Sequence, residues 1–430
     1  MPGFSLRPSG LLQLLRSDRA SFVAISIAIN ALLLLRHFVA MRTVDLVGLG
    51  SLLLLQTVVT TIGMMHFGII GGAYRLTCDA DERARVEINN LVYSFISLLA
   101  GSIVVVAGIS YYTPGEPMRL VLALLGTVGG IAMLARTWMI NQMLVLGRLK
   151  ELNRVNFWST TASLSALTLA PIAPLPASVA ALVLQPLFFA AAVYVMEPTL
   201  RPTGFTFDKP LTWRILSTGF TLYLTGMFLQ ANVQLERWYV ARALGFTALG
   251  HFYLAGVWLI IFQMVPTSVE ALFLARLVQA RALGDEVAVS RVMRTYFLTL
   301  AGYCLLVGAA TLVLAEPVVR LVLPAHAGDV IYVKLLLPGI LIFTMSSPFA
   351  IVFNVIIRYQ TYIAAYGAGA MITTGTYVFA VLLDHTFDLK AVILVRCFVF
   401  IVMAVIIFAG FWVVTRSNRE FRFSLQEPIA

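Results

Sequence analysis

Apolar positions along this chain neither alternate nor trace a narrow helical stripe. They come in blocks of about twenty residues, the length an α-helix needs to cross the hydrocarbon of a bilayer. Short polar joints rich in arginine, glycine and proline separate the blocks. The first six predict spans from Ser21 to Met41, Leu46 to Gly72, Asn89 to Tyr111, Leu120 to Leu146, Phe157 to Pro171 and Ala177 to Met196. Six more run from Ile215 to Tyr239, Leu249 to Phe273, Tyr296 to Val313, Val330 to Ile357, Tyr362 to Leu383 and Ala391 to Val414. The pattern predicts an all-α polytopic membrane protein with about twelve transmembrane helices in two six-helix lobes.

The longest polar joint, Glu197 to Trp213, carries Pro198, Pro202, Gly204 and Pro210. Such punctuation marks a linker. It divides the chain into an N-terminal lobe (1–196), a cytoplasmic linker (197–212) and a C-terminal lobe (213–430). Composition agrees with this reading. Hydrophobic residues make up 60% of the 430 and charged ones 12%, against about 25% charged in an ordinary soluble domain. The joints leave no room for a separate globular domain.

A net charge of +10 suggests nucleic acid in a soluble protein, but in a membrane protein basic residues report orientation first. With the N-terminus inside, twenty of the thirty Lys and Arg fall in cytoplasmic segments: Arg7, Arg16 and Arg19; Arg75, Arg83 and Arg85; Arg148, Lys150 and Arg154; Arg201, Lys209 and Arg214; Arg276, Arg281, Arg291 and Arg294; Arg358; Arg416, Arg419 and Arg422. Nine go to the outer side, and Arg136 alone falls deep within a span. An even helix count with both termini cytoplasmic produces this alternation, and the plasma (cell inner) membrane is the expected location. Met1 to Ala20 resembles the charged region of a signal peptide, yet no small-residue cleavage site follows a short apolar core, so the first helix is expected to be retained.

The halves resemble each other at their first hairpins. Arg36-His37-Phe38-Val39-Ala40 reads like Arg237-Trp238-Tyr239-Val240-Ala241, and Arg42 to Gly50 matches Arg242 to Gly250 at an offset of 200 residues. Two lobes that each start and finish inside are related by an axis along the membrane normal, as in several transporter folds with a cavity between repeats. Chance similarity between two hydrophobic hairpins is the alternative.

Candidate chemistry lies where polar groups interrupt the spans. A mid-bilayer arginine costs about 2.5 to 3.5 kcal/mol on insertion scales, so it normally faces protein or a wet cavity. Arg36, Arg136 and Arg237 are the candidates, and Arg36 and Arg237 occupy equivalent places in the two halves. Gln230, Gln234 and Arg237 follow at i, i+4 and i+7, one face of a helix, which either lines a cavity or bonds neighbouring helices. Asn232 and Glu236 form a second polar pair, with Glu236 placed to neutralise Arg237 or Arg36. Asn30 adds an amide to the first helix. His37 and His66 read as packing residues.

Carboxylates within spans are few: Glu270, with Asp45, Asp384 and Glu236 nearer the outer ends. A cation-coupled exporter of cationic drugs needs buried carboxylates, whereas guanidinium and amide groups suit an anion, above all a phosphate that takes paired donors. The preferred cargo is therefore anionic. Snorkelling of Arg36 and Arg237 to outer headgroups is the competing reading. Catalysis has little support. Asp79-Ala80-Asp81 looks like a metal-binding pair but sits in an inner loop crowded by Glu82, Arg83 and Arg85, and the chain carries no phosphate-binding glycine loop, HExxH or GxSxG. The three cysteines, Cys78, Cys304 and Cys397, show no ligand spacing and read as packing residues. Pro266, Pro338-Gly339 and Gly129-Gly130 are bending points of a kind a rocking carrier uses.

The stretch from Arg36 to Arg75, with Gly48-Leu49-Gly50 opening the second span and Phe67-Gly68-Ile69-Ile70-Gly71-Gly72 closing it, resembles the polysaccharide flippases of the multidrug/oligosaccharidyl-lipid/polysaccharide (MOP) exporter superfamily. The second half repeats the theme with Glu236-Arg237, then Leu249-Gly250-His251-Phe252-Tyr253-Leu254-Ala255, Pro266 and Ala275-Arg276. The resemblance implies a MATE-like fold of two six-helix lobes. It also implies alternating-access translocation of undecaprenyl-diphosphate-linked oligosaccharide from the cytoplasmic to the periplasmic leaflet, for O-antigen, capsule or exopolysaccharide synthesis. Arg36 and Arg237 match the cationic positions expected to meet the diphosphate, with Arg136 as a further candidate that no motif aligns. Gln230, Gln234 and Asn30 are then expected at the sugars. No cofactor is implied, nor any nucleic acid. The expected partners are the lipid-linked oligosaccharide, membrane lipid, and a polysaccharide polymerase and glycosyltransferases. The other reading is a cation-coupled small-molecule exporter on the same fold, with Glu236 and Glu270 as ion ligands.

Overall fold

A computed structural model describes residues 18–78, 80–111, 117–356 and 359–417. Arg7, Arg16, Asp79, Arg358, Arg419 and Arg422, all used in reading the sequence, lie outside the described residues. Thirteen α-helices account for nearly all of the rest: α1 (Asp18–Thr43), α2 (Leu46–Gly63), α3 (Ile69–Cys78), α4 (Glu82–Tyr111), α5 (Pro117–Val145), α6 (Leu149–Leu164), α7 (Pro174–Met196), α8 (Lys209–Tyr239), α9 (Gly245–Ala282), α10 (Glu286–Val322), α11 (Val330–Val355), α12 (Gln360–Leu382) and α13 (Leu389–Ser417). No strand occurs among the described residues. Each of the twelve expected spans falls mainly on helix. Eight helical stretches among the described residues are long and apolar enough to cross a membrane, the one from Lys209 to Thr267 running 59 residues.

These helices form because an apolar segment in lipid must satisfy every backbone N–H and C=O internally. Prolines inside them test that rule. Pro266 in α9 has no N–H, which leaves the carbonyl of Phe262 without its usual donor. The hydroxyl of Tyr303 on α10 donates to Phe262 O at 3.3 Å and to Ile261 O at 3.1 Å. The helix therefore continues through the proline. Tyr303→Phe is expected to lower stability by about 1 kcal/mol, read as a drop in the thermal midpoint of the purified protein. An unchanged midpoint would mean that water satisfies the carbonyl instead.

The helices group into two compact units, Met1–Val44 with Leu55–Tyr223 and Asp45–Leu54 with Leu224–Ala430. In the first, α1 packs on α6 and α7, α5 on α4 and α7, and α3 on α4 and α5. Trp138 and Phe189 are fully buried there. In the second, α11 is central, flanked by α9, α10 and α13, with α12 against α13.

Two helices depart from the expected spans. The predicted second span, Leu46 to Gly72, is broken: α2 ends at Gly63 and α3 begins at Ile69. Phe67 (φ 47°) and Gly68 (φ 91°) adopt left-handed backbone in between, and the Gly68 N–H donates to His66 Nδ1 at 3.2 Å. A Cβ on Gly68 would also lie 2.9 Å from the backbone of Gly219 and Phe220 in α8. Glycine is thus required there by both torsion and space. The fifth span is also shortened, with α6 ending at Leu164 and a 3₁₀ turn following over Ser165–Leu169.

Within the second unit, the start of α2 meets the start of α9 through glycines. A Cβ on Gly50 would overlap the carbonyl of Phe246, and one on Gly250 would overlap that of Leu46. Adding 200 to Leu46 and Gly50 gives Phe246 and Gly250, so the contact is reciprocal, as a local twofold requires. Small residues let helix backbones approach this closely.

The segment 197–208 is held rather than loose. Asn89 Nδ2 donates to Leu200 O at 3.1 Å while Trp138 Nε1 donates to Asn89 Oδ1 at 2.9 Å. Asn90 exchanges hydrogen bonds with Thr203, Nδ2 to Oγ1 at 3.0 Å and backbone N to Oδ1 at 2.8 Å. Thr206 N donates to Ser94 Oγ at 3.0 Å, and Glu197 is ion-paired with Arg148. Asn90→Ala is expected to raise the rate of chymotryptic cleavage after the exposed Phe205 and Phe207 several-fold, measured by limited proteolysis of the folded protein. Equal rates would show that the other contacts hold the segment alone.

Candidate functional sites within each unit

The first unit contains three of the sequence-predicted residues. Arg36 on α1 is buried at 8% exposure, with Nη2 lying 3.4 Å from His37 Nε2. Asn30, two turns earlier on α1, is half-buried. Arg136 on α5 is half-buried too. Its Nη2 donates to Asn156 Oδ1 on α6 at 2.9 Å, and its guanidinium lies over the Phe189 ring on α7, 5.2 Å from the centroid. A cation over an aromatic face is stabilised where water is scarce. Arg136 therefore ties three helices of this unit together while its Nε stays without an acceptor.

The second unit holds the others. On α8, Gln234 Nε2 donates to Gln230 Oε1 at 3.3 Å, so the i, i+4 amides bond to one another. Arg237 is buried at 6% exposure and its Nε finds no acceptor. Glu236 is buried at 1%. Its ion-pair partner is Arg396 of α13, which places Nε 2.5 Å from Glu236 Oε2, and the expected Arg237 acts on the same carboxylate electrostatically. Neighbours 236 and 237 project about 100° apart around a helix, which lets the carboxylate reach α13 while Arg237 stays within electrostatic reach of it. Asn232, one turn before Glu236, donates to Phe228 O at 2.9 Å and accepts from Thr373 of α12 at 3.0 Å.

By position alone Arg396 is one of the nine outer basic residues, since it lies near the outer end of the last expected span. The structure buries it at 5% exposure, with its guanidinium 5.3 Å from the centroid of the Phe252 ring. A signal did exist. Arg396 stands between Ala391-Val392-Ile393-Leu394-Val395 and Cys397-Phe398-Val399-Phe400, apolar on both sides, and an arginine so placed faces protein.

Glu270 lies apart from this cluster, half-buried on α9 and within electrostatic reach of the Tyr296, Tyr362 and Tyr366 hydroxyls. The surroundings are aromatic. Phe273 stacks on Tyr296 with centroids 4.6 Å apart. The two Glu residues offered as ion ligands thus occupy different settings, Glu236 beside guanidinium and Glu270 among phenols.

The fold is the one found in transporters of the MOP superfamily. An inward-facing multidrug resistance MATE family transporter of that superfamily superposes with a TM-score of 0.69 at 14% identity, over 94% of this chain and 98% of its own. The lipid II flippase MurJ, in an inward closed conformation, gives 0.70 at 11% identity over 91% and 87%. A MOP superfamily transporter from Pyrococcus furiosus, in which reverse polarity of the binding pocket suggests a different function, gives 0.60 at 12% over 95% and 98%. No protein-family model matches the sequence, and no curated protein is similar to it. At these identities the likeness is one of fold.

Proposed function

We propose that this chain is a flippase that carries a lipid-linked oligosaccharide, held by its undecaprenyl diphosphate, across the inner membrane by alternating access between two six-helix lobes. The observation that carries the reading is the burial of guanidinium groups within the helices. Arg36, Arg237 and Arg396 are each below a tenth exposed within helices, and Glu236 is the acidic partner the structure gives Arg396. Guanidinium groups out of water hold phosphate oxygens strongly because each presents paired N–H donors and stays charged. A diphosphate suits such a lining. Arg36, Arg237 and Arg136 would hold it, and Gln230, Gln234 and Asn30 would meet the first sugars. That the lipid II flippase shares the fold supports a lipid-linked cargo, with membrane lipid as the second partner and a polymerase and glycosyltransferases acting on either side of the step. Twelve crossings with both termini cytoplasmic, as the basic residues suggest, complete the reading.

The test is complementation. In a strain lacking its own oligosaccharide flippase, expression of the chain is expected to restore surface polysaccharide and to lower the pool of inner-leaflet lipid-linked oligosaccharide. A pool unchanged by expression overturns the proposal. A second reading, a cation-coupled exporter of small molecules, is favoured by Glu270 among its tyrosines, a setting suited to an organic cation. Drug resistance conferred by the chain and lost in Glu270→Gln would support it.

A further inference from the structure

The chain between Glu197 and α8 runs along α4 within the first unit. Asn89 Nδ2 donates to Leu200 O, Thr203 N donates to Asn90 Oδ1, and Thr206 N donates to Ser94 Oγ, so the two segments advance in step. The level of these contacts is set by α4 itself. Its first residues include Glu82, Arg83, Arg85 and Glu87, and from Ile88 to Ile103 it carries no charge. The stretch Glu82–Ile103 is long and apolar enough to cross a membrane. At 1.5 Å per residue, Ser94 lies about 9 Å beyond Ile88. Elements that lie in a membrane interface sit about 5–10 Å into the boundary between headgroups and acyl chains. The backbone of 200–206 is therefore held at the border of water and hydrocarbon.

What this segment leaves uncovered is aromatic and basic. Phe205 and Phe207 are 69% and 66% exposed, one on each side of Thr206, whose amide is fixed to α4. Trp213, in the first turns of α8, is 73% exposed. Between residues 201 and 214 one carboxylate, Asp208, stands against Arg201, Lys209 and Arg214. Arg201 is engaged locally, its Nε and Nη2 donating to the Tyr194 and Val195 carbonyls that end α7. Lys209 and Arg214 are exposed and remain for a partner. Aromatic rings favour the membrane interface, and cations beside them attract anionic headgroups.

We propose that residues 203–214 form a lipid-binding surface in the headgroup layer of the leaflet on their side of the membrane. Phe205, Phe207 and Trp213 enter the upper acyl chains, and Lys209 and Arg214 take the phosphate of an anionic phospholipid. The depth of the α4 contacts favours lipid over a soluble protein, which would have to reach rings level with an uncharged part of a membrane helix. The surface lies wholly within the first unit and does not depend on what the chain transports. Its occupant adds a lipid contact to the hydrogen bonds that already hold the segment to α4.

The experiment uses the full-length protein in vesicles. Phe207→Cys is made in a Cys78→Ser background, since Cys78 is exposed while Cys304 and Cys397 are buried, and carries a small thiol-linked fluorophore. The vesicles are phosphatidylcholine with a minor fraction of phosphatidylcholine or phosphatidylglycerol brominated near the headgroup end of its chains. Both brominated lipids are expected to quench the label, and iodide in the water to quench it little. At equal mole fraction, phosphatidylglycerol is expected to be enriched at the label by about fivefold or more, the effect of one or two basic residues at an anionic surface. Lys209→Gln/Arg214→Gln is expected to remove most of that preference while quenching by the chains persists. Quenching by iodide alone overturns the proposal and leaves the rings to water or to a soluble partner. Equal quenching by the two lipids overturns it as well, because no anionic headgroup is then selected, and so does a preference that survives in the double variant. Should the labelled Phe207→Cys protein not fold, Phe205→Cys carries the label and is held to the same outcomes.

Discussion

Arg396→Ala is expected to cost about 3–5 kcal/mol of stability, the penalty typical of removing one partner from a buried ion pair. Glu236 is 1% exposed, so the carboxylate left behind has no water to turn to. Glu236→Ala/Arg396→Ala should recover part of the loss, because the stranded charge and not the missing attraction is the larger contribution. Arg237→Ala makes the contrast. It leaves the Glu236–Arg396 pair intact and removes a buried positive charge, so its stability is expected at or above that of the parent. Thermal midpoints of the four proteins decide the matter. A single Arg396→Ala no worse than the double variant would show that Arg237 takes over the carboxylate.

The largest functional effect is expected from Arg36→Ala/Arg237→Ala. Each arginine is buried within a helix, and the proposed cargo carries two phosphates. Removing both is expected to lower restored surface polysaccharide at least about tenfold, since hydrogen bonds to a charged group contribute about 1.5–3 kcal/mol each. Arg36→Lys/Arg237→Lys should keep part of the activity, because an ammonium supplies charge without the paired donors. Abundance in the membrane, measured alongside, separates loss of transport from loss of protein. Full polysaccharide in the alanine double variant would remove Arg36 and Arg237 from the site while leaving the flippase reading to stand on complementation.

Much of this was visible in the order of residues. Blocks of apolar residues place every expected span on helix, because hydrocarbon gives the backbone no other partner. The 200-residue offset between Gly50 and Gly250 pointed to helix starts that turn out to touch. Other features were not visible. The break at Gly68 looks, in hydropathy, like the continuation of a span, since Met64, Met65, Phe67, Ile69 and Ile70 are all apolar. It is a turn because two backbones meet at Gly68 and Gly219. The polar joint 197–212, with its prolines, reads as a linker, and its contacts with Asn89, Asn90 and Ser94 of α4 have no sign in the sequence. Nothing local announces a partner more than a hundred residues away.

Arg396 shows where the division falls. The sequence by itself determined that this is a helical membrane protein and that a few arginines lie among apolar neighbours, since transfer into hydrocarbon depends on residue type and run length alone. Only the tertiary structure decided that Glu236 meets Arg396 of another helix as well as its neighbour Arg237. Pairing of buried charges depends on which faces of α8 and α13 are brought within about 3 Å, and that distance is set by packing across the unit, which no local spacing encodes.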